Sequence, residues 1–278
     1  MDATINLNVH NFHIWQNRQR QRFETIRFDT NNDCNVHCVY CHVPRSKDLI
    51  DLDQFRAFLG DKVESTNIFQ FGCQMEPTID KRLVSFMQAV ADSPARPRTI
   101  FRLQTNGILL HRHDHEKMCE AGLNYLAVSM DSVDSELVKK LRGGTSLSKV
   151  YKNVREFHRK CPTIRVGFIT TITSANIGVI DDLVEAGLES GVAVFNLRQV
   201  GYQPDNPIVD HSLMRELIVS NAAFDAMADR VKNKYKIARF YIQGAEVLKE
   251  GALTVRAASS LPRTETELIR LIDAGLSR

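Results

Sequence analysis

At 278 residues, with 43% hydrophobic and 25% charged residues and a formal net charge of +3, the chain has the composition of an ordinary globular protein with one large core. The charge is slight and Arg18, Arg20 and Arg22 form only a short basic cluster, so nothing argues for a nucleic-acid partner. No window approaches eighteen apolar residues and the first 21 residues lack a basic-then-apolar leader, so no membrane partner is expected and the chain reads as cytoplasmic.

Residues 1–22 are polar, with Phe12 and Trp15 among Asn, Gln and Arg, and read as a lead-in that packs a few aromatics on the body. Residues 23–29 alternate apolar and polar at period two, which predicts a strand, and residues 52–63 carry Leu52, Phe55, Phe58, Leu59 and Val63 at helical spacing. The alternation then repeats. Strands are predicted at 67–71, 99–103, 125–130, 165–172 and 192–197, and helices at 79–91, 113–121, 135–141, 147–158, 177–188 and 211–232. Six strands each followed by a helix predict an α/β fold, a partial (β/α)6 barrel with parallel strands and right-handed crossovers over residues 23–232. Residues 233–278, with a strand-like stretch at 237–242 and a last helix at 265–274, read as a C-terminal extension that closes the barrel edge or caps it. In such barrels the loops leaving the strands form the active face.

The first of those loops carries Cys34, Cys38 and Cys41 at the spacing C-x3-C-x2-C, with Tyr40 directly before the last cysteine. Three thiolates in eight residues select zinc, copper(I) or an iron–sulfur cluster. A closed zinc site needs a fourth ligand and usually a second knuckle. Here Cys73, Cys119 and Cys161 stand alone, and His37 and His42 are too close to the loop cysteines. Six cysteines with three clustered also fit a reducing compartment better than a disulfide framework.

The cysteine motif with its aromatic residue resembles the radical S-adenosylmethionine (SAM) superfamily, nearest to its sulfatase-maturing and peptide-modifying branch, and the resemblance extends over residues 23–202. It implies a [4Fe–4S] cluster on Cys34, Cys38 and Cys41 and SAM bound at the open iron. It also implies an electron donor such as flavodoxin or ferredoxin, and a 5′-deoxyadenosyl radical that abstracts hydrogen from substrate. Residues 72–77 (GCQMEP) resemble the family's GGEP segment, with Gln74 and Met75 where that pattern has two glycines. Glu76 is then expected to meet the SAM ammonium; otherwise it stabilises a helix N-terminus. By the same resemblance Asn106 faces the nucleoside, although Asn-Gly is also a turn signal. Ser129 lies near the ribose or carboxylate, and Arg142, in Leu141-Arg142-Gly143-Gly144, meets the SAM carboxylate. Asp131 reads as a cap of the next helix. Thr171 and Arg198, with Gln199 and Tyr202, are expected as cofactor or substrate contacts at the barrel mouth.

No cysteine follows Cys161, so no auxiliary thiolate-bound cluster is expected after it, which favours a redox-neutral or hydrogen-returning reaction such as epimerisation. Cys73 is the expected hydrogen donor, with Cys119 and Cys161 competing for the role. The substrate is read as a small molecule, sugar, nucleoside or peptide. The alternatives are a peptide- or protein-modifying maturase, and a non-catalytic iron–sulfur or zinc scaffold or sensor.

Overall fold

Strands written with polar residues at every second position give a sheet whose two faces differ in chemistry. The computed structural model describes residues 4–9, 12–17, 22–59, 66–93, 100–192, 194–243 and 254–256. Its parallel strands are β3 (Arg22–Phe28), β5 (Thr66–Phe71), β6 (Ile100–Thr105), β7 (Tyr125–Ser129), β9 (Arg165–Ile172), β10 (Val194–Gln199) and β11 (Arg239–Gln243), paired in that spatial order. Seven parallel strands make a half-barrel, one more than the six expected, because the stretch near 237–242 pairs with β10 as β11. The segment expected as a lead-in forms two strands, β1 (Thr4–Val9) and β2 (Phe12–Asn17), which extend the sheet antiparallel beyond β3. The outermost strand, β12 (Thr254–Arg256), runs parallel to β1. The expected helix at 265–274 and the packing of Phe12 and Trp15 lie outside the described residues.

Helices α1 (Leu52–Leu59), α2 (Leu83–Asp92), α3 (His115–Glu120), α4 (Ser135–Leu141), α5 (Leu147–Lys160) and α6 (Ile180–Glu189) supply the crossovers. Successive strand residues point to opposite faces. On the helix side Ile26, Phe28, Phe69, Phe71, Phe101 and Leu103 are fully buried. Phe28 stacks on Phe55 of α1 at 4.5 Å, and Phe55 meets Phe86 of α2 edge-on at 5.1 Å. Each such ring contributes about 2 kcal/mol by leaving water, and this aromatic block fixes the first two helices on the sheet. A second, smaller cluster forms around Leu141, Met214 and Leu217, with Val39 and Tyr40 packed on it. Val36, Cys34 and Cys38 of the same loop pack on the main core.

The helix expected over 211–232 is two helices, α7 (His211–Leu217) and α8 (Asn221–Lys234). Ser220, in extended backbone, caps α8 by accepting from the Ala223 amide at 3.2 Å. The open carbonyls at the break are used by other loops. Ser174 binds Leu217 O and Glu216 O, and the Gln199 amide binds Val219 O and Asn221 Oδ1. Cys119 of α3 and Cys161, which ends α5, are joined by a disulfide spanning 42 residues. This corrects the reading of six reduced cysteines, and it removes both from competition with Cys73. Among the described residues no helix is long and apolar enough to cross a membrane.

β5 turns toward the site through Gly72, whose φ is +79°. A Cβ there would sit 2.2 Å from the Gln104 carbonyl oxygen, so the position combines a left-handed backbone with a close approach. The Gly72→Ala protein is expected to lose about 2 kcal/mol or more of stability in urea unfolding; a loss under about 0.5 kcal/mol would contradict the turn geometry.

Candidate active site

The cysteine loop leaves β3 and is clamped from two sides. A two-residue strand within it, β4 (His37–Cys38), pairs antiparallel with β8 (Arg142–Gly143), and the Val39 amide donates to Leu141 O at 3.0 Å. Arg45 donates to Cys34 O at 2.8 Å, and the Cys34 amide donates to Asp33 Oδ1 at 2.8 Å. Cys34, Cys38 and Cys41 are all free thiols, partly buried, and within electrostatic reach of one another in sequence order. Burial pushes the Cys34 thiol up to about 11 and also raises Cys38. Asn106 Nδ2 points at Cys34 Sγ from 4.0 Å and donates to Asn35 Oδ1 at 2.7 Å.

Among the described residues no three His, Cys, Asp or Glu side chains converge on one ion. The donor set is three cysteine thiols on one loop, the ligand type that iron–sulfur clusters take.

Three buried carboxylates organise the loops around those thiols. Asp29, directly after β3, accepts the amides of Cys73, Gln74 and Met75 at 2.8 to 3.2 Å. That side chain fixes the loop in which Gln74 and Met75 replace glycines. Glu76, 2% exposed, caps a short 3-10 turn (Pro77–Ile79) through the Thr78 amide, and accepts from the Thr78 and Thr105 hydroxyls and the Asn106 amide, the last three at 2.6 Å. Three of these bonds fall on Oε1 and one on Oε2, which leaves acceptor capacity on Oε2. Asp131 is fully buried and takes the Tyr40 hydroxyl and Arg142 Nη1, the latter at 3.3 Å, on Oδ2 and the Thr171 amide on Oδ1. Asn176 bridges Asp131 O and Thr171 O.

Arg142 donates through Nη1 to Asp131 and to the Tyr40 oxygen, 2.9 Å away, while its Nε is buried without a hydrogen-bond partner, and α4 is capped by Asp134, not Asp131. Ser129 ends β7, half-buried. Arg198 lies inside the half-barrel with Nε 3.3 Å from Asn196 Oδ1. Tyr202 shares a hydrogen bond with His211 at 3.1 Å, and Gln199 is committed to the break between α7 and α8. Cys73 lies inside the half-barrel beside Arg27 and Arg198, with burial pushing its thiol up to about 11. Asp29, Asn35 and Asn176 carry no sequence signal of their own; only the position of Asp29 at the end of a strand could have drawn attention to it.

Residues 29–187 match the family model described as the Radical SAM superfamily. The chain is 26% identical over 180 residues to a probable GTP 3′,8-cyclase of Sulfurisphaera tokodaii, covering 63% of this chain and 55% of the relative. It is 26% identical over 187 residues to a GTP 3′,8-cyclase of Alkaliphilus oremlandii, with the same shares covered. The chain thus spans about half the length of these relatives. Among solved structures, Streptococcus suis SuiB bound to S-adenosylmethionine superposes with a TM-score of 0.62 at 13% identity, covering 82% of this chain and 52% of that one. The anSMEcpe structure with bound AdoMet and a peptide gives 0.57 at 16% identity, covering 78% and 62%. These likenesses show the fold.

Burial holds Asp29 above its ordinary value of 3.8, at about 6. The folded chain keeps this proton at a pH where the unfolded chain has lost it, so the associated stability is present below about pH 4 and falls as pH rises through about 6. Urea unfolding at pH 4 and pH 7 is expected to show a larger loss for the wild-type protein than for Asp29→Asn, whose side chain does not titrate. Equal losses would place the proton elsewhere.

Proposed function

The chain belongs to the radical SAM superfamily, enzymes that work with a [4Fe–4S] cluster and SAM, and we propose that Cys34, Cys38 and Cys41 hold the cluster at the mouth of the half-barrel. The observation that carries this reading is the loop itself: three unpaired thiols within eight residues, with other strand ends bonded to their immediate surroundings. Held by these three cysteines, the cluster would supply the electron for reductive cleavage of SAM and so the radical chemistry that removes a hydrogen atom from substrate.

The protein's part is to hold, orient and exclude water. Asn106 orients Cys34, and the Tyr40–Asp131–Arg142 group orients the segment around Cys38. Arg142 is the positioning member of that group, and its Nε, buried without a partner, is proposed for the SAM carboxylate that its motif suggests. Glu76 keeps acceptor capacity on Oε2 for the SAM ammonium, since an ammonium needs acceptors at hydrogen-bond range. Ser129 and Thr171, at the ends of neighbouring strands, face the remaining SAM groups.

The Cys73 thiol is kept protonated by burial, which is the form that carries a transferable hydrogen atom. Given to a substrate carbon radical, that hydrogen leaves the sulfur one electron short. One electron from a donor such as flavodoxin or ferredoxin, with a proton, restores the thiol. The reaction supported is thus hydrogen abstraction followed by hydrogen return on a small molecule, with net inversion at carbon. The GTP named in the sequence relatives favours a nucleotide as that molecule, while the peptide held by a structural neighbour favours a peptide instead.

Anaerobic reconstitution with iron and sulfide, then SAM and a strong reductant, is expected to yield 5′-deoxyadenosine from the wild-type protein and none from Cys34→Ala, Cys38→Ala or Cys41→Ala. A cysteine variant that still made it would remove that residue from the ligand set. On a substrate that turns over, Cys73→Ala is expected to form 5′-deoxyadenosine without product; normal product would exclude the thiol.

A further inference from the structure

The inner face of the half-barrel carries a layer of polar residues in one register. Arg27 of β3 pairs in register with Gln70 of β5, Gln70 with Arg102 of β6, and Arg102 with Tyr125 of β7. The Arg102 guanidinium stacks over the Tyr125 ring at 5.3 Å. The Tyr125 phenol then crosses toward β9: a Cβ at Gly167 would lie 2.0 Å from its oxygen. From the far side, Arg198 of β10 reaches the same space, within electrostatic range of Arg27, Arg102, Cys73 and Tyr125. Three guanidiniums on three different strands therefore face one interior.

For two of them the described residues offer no counter-charge. Arg102 and Arg198 have no carboxylate partner among the described residues, and the nearest groups are the other arginines, a thiol, Tyr125 and Tyr241. Asp29 is turned to the amides of residues 73–75. Arg102 Nε is buried without a hydrogen-bond acceptor. Burial pushes both guanidiniums down to about 10, yet they remain charged at neutral pH. Like charges gathered out of water are unfavourable unless an anion joins them, and the planar guanidinium fork matches the oxygens of phosphate and carboxylate.

We propose that Arg102 and Arg198 form the recognition site for an oxyanion of the substrate, a phosphate or a carboxylate, inside the half-barrel. The proposal rests on reading this interior as the reaction chamber. Arg102 lies three residues before the end of β6 and Arg198 one residue before the end of β10, so an anion held there sits beneath the mouth where the cysteines lie. Its bearer would extend up toward them, past the Cys73 thiol.

The test titrates the cluster-loaded protein with inorganic triphosphate, with citrate and with guanosine by calorimetry. Binding of triphosphate or citrate, and none of guanosine, is expected, and which of the two binds tells phosphate from carboxylate. Arg102→Gln and Arg198→Gln should each weaken it at least tenfold, Arg102→Lys should restore part of it, and the exposed Arg159→Gln should leave it unchanged. Circular dichroism and melting temperature confirm that each variant is folded. Absence of binding by the wild-type protein, or binding that survives both Gln substitutions, overturns the assignment. Protein that makes 5′-deoxyadenosine but binds neither anion refutes the oxyanion site alone. Protein that binds triphosphate but never cleaves SAM supports the site and refutes the enzymatic reading alone.

Discussion

A carboxylate buried at the end of a parallel strand must find donors, because an unsatisfied charge there costs several kcal/mol. Asp29, Glu76 and Asp131 meet that requirement with amides, hydroxyls and a guanidinium from loops far away in sequence. Each bond set ties one strand end to another: β3 to the loop after β5, that loop to the one after β6, and the end of β7 to both the cysteine segment and β9. The mouth of the half-barrel is thereby a connected network, and the cysteine loop is one strand of it. This is how a loop with only the two-residue β4 in it keeps three thiols in fixed relation.

The periodic part of this was legible in the sequence. Period-two strands and helical apolar stripes placed nearly every crossover unit, since burying one face of each element dictates its pattern. The cysteine spacing placed the candidate centre. The break between α7 and α8 was not legible, because Ser220 is an ordinary residue in a helical pattern until Ser174 and Gln199 claim the carbonyls around it. The disulfide was equally hidden: two isolated cysteines 42 residues apart give no pairing signal. The pattern Thr4-Ile5-Asn6-Leu7-Asn8-Val9 does alternate, but the polar residues around it mask the strand signal.

Site residues divide by whether their role is local. Cys34, Cys38 and Cys41 declare themselves through mutual spacing. Arg142 is singled out by its motif, but its bonds to Asp131 and Tyr40, partners 11 and 102 residues away, come only with the fold. Charge inside the barrel was invisible for a similar reason. Arg27, Arg102 and Arg198 each look like a solvated strand residue; strand register puts Arg27 and Arg102 in one layer, and Arg198 reaches within electrostatic range of both from β10.

The seven parallel strands stop at β11, which pairs with β10 alone among the described residues, while β3 turns its other edge to β2. A closed eight-stranded barrel fills its centre with side chains and is entered only along its axis. Among the described residues β3 and β11 are not hydrogen-bonded to each other, and Tyr241 of β11, 53% exposed, stands at that edge.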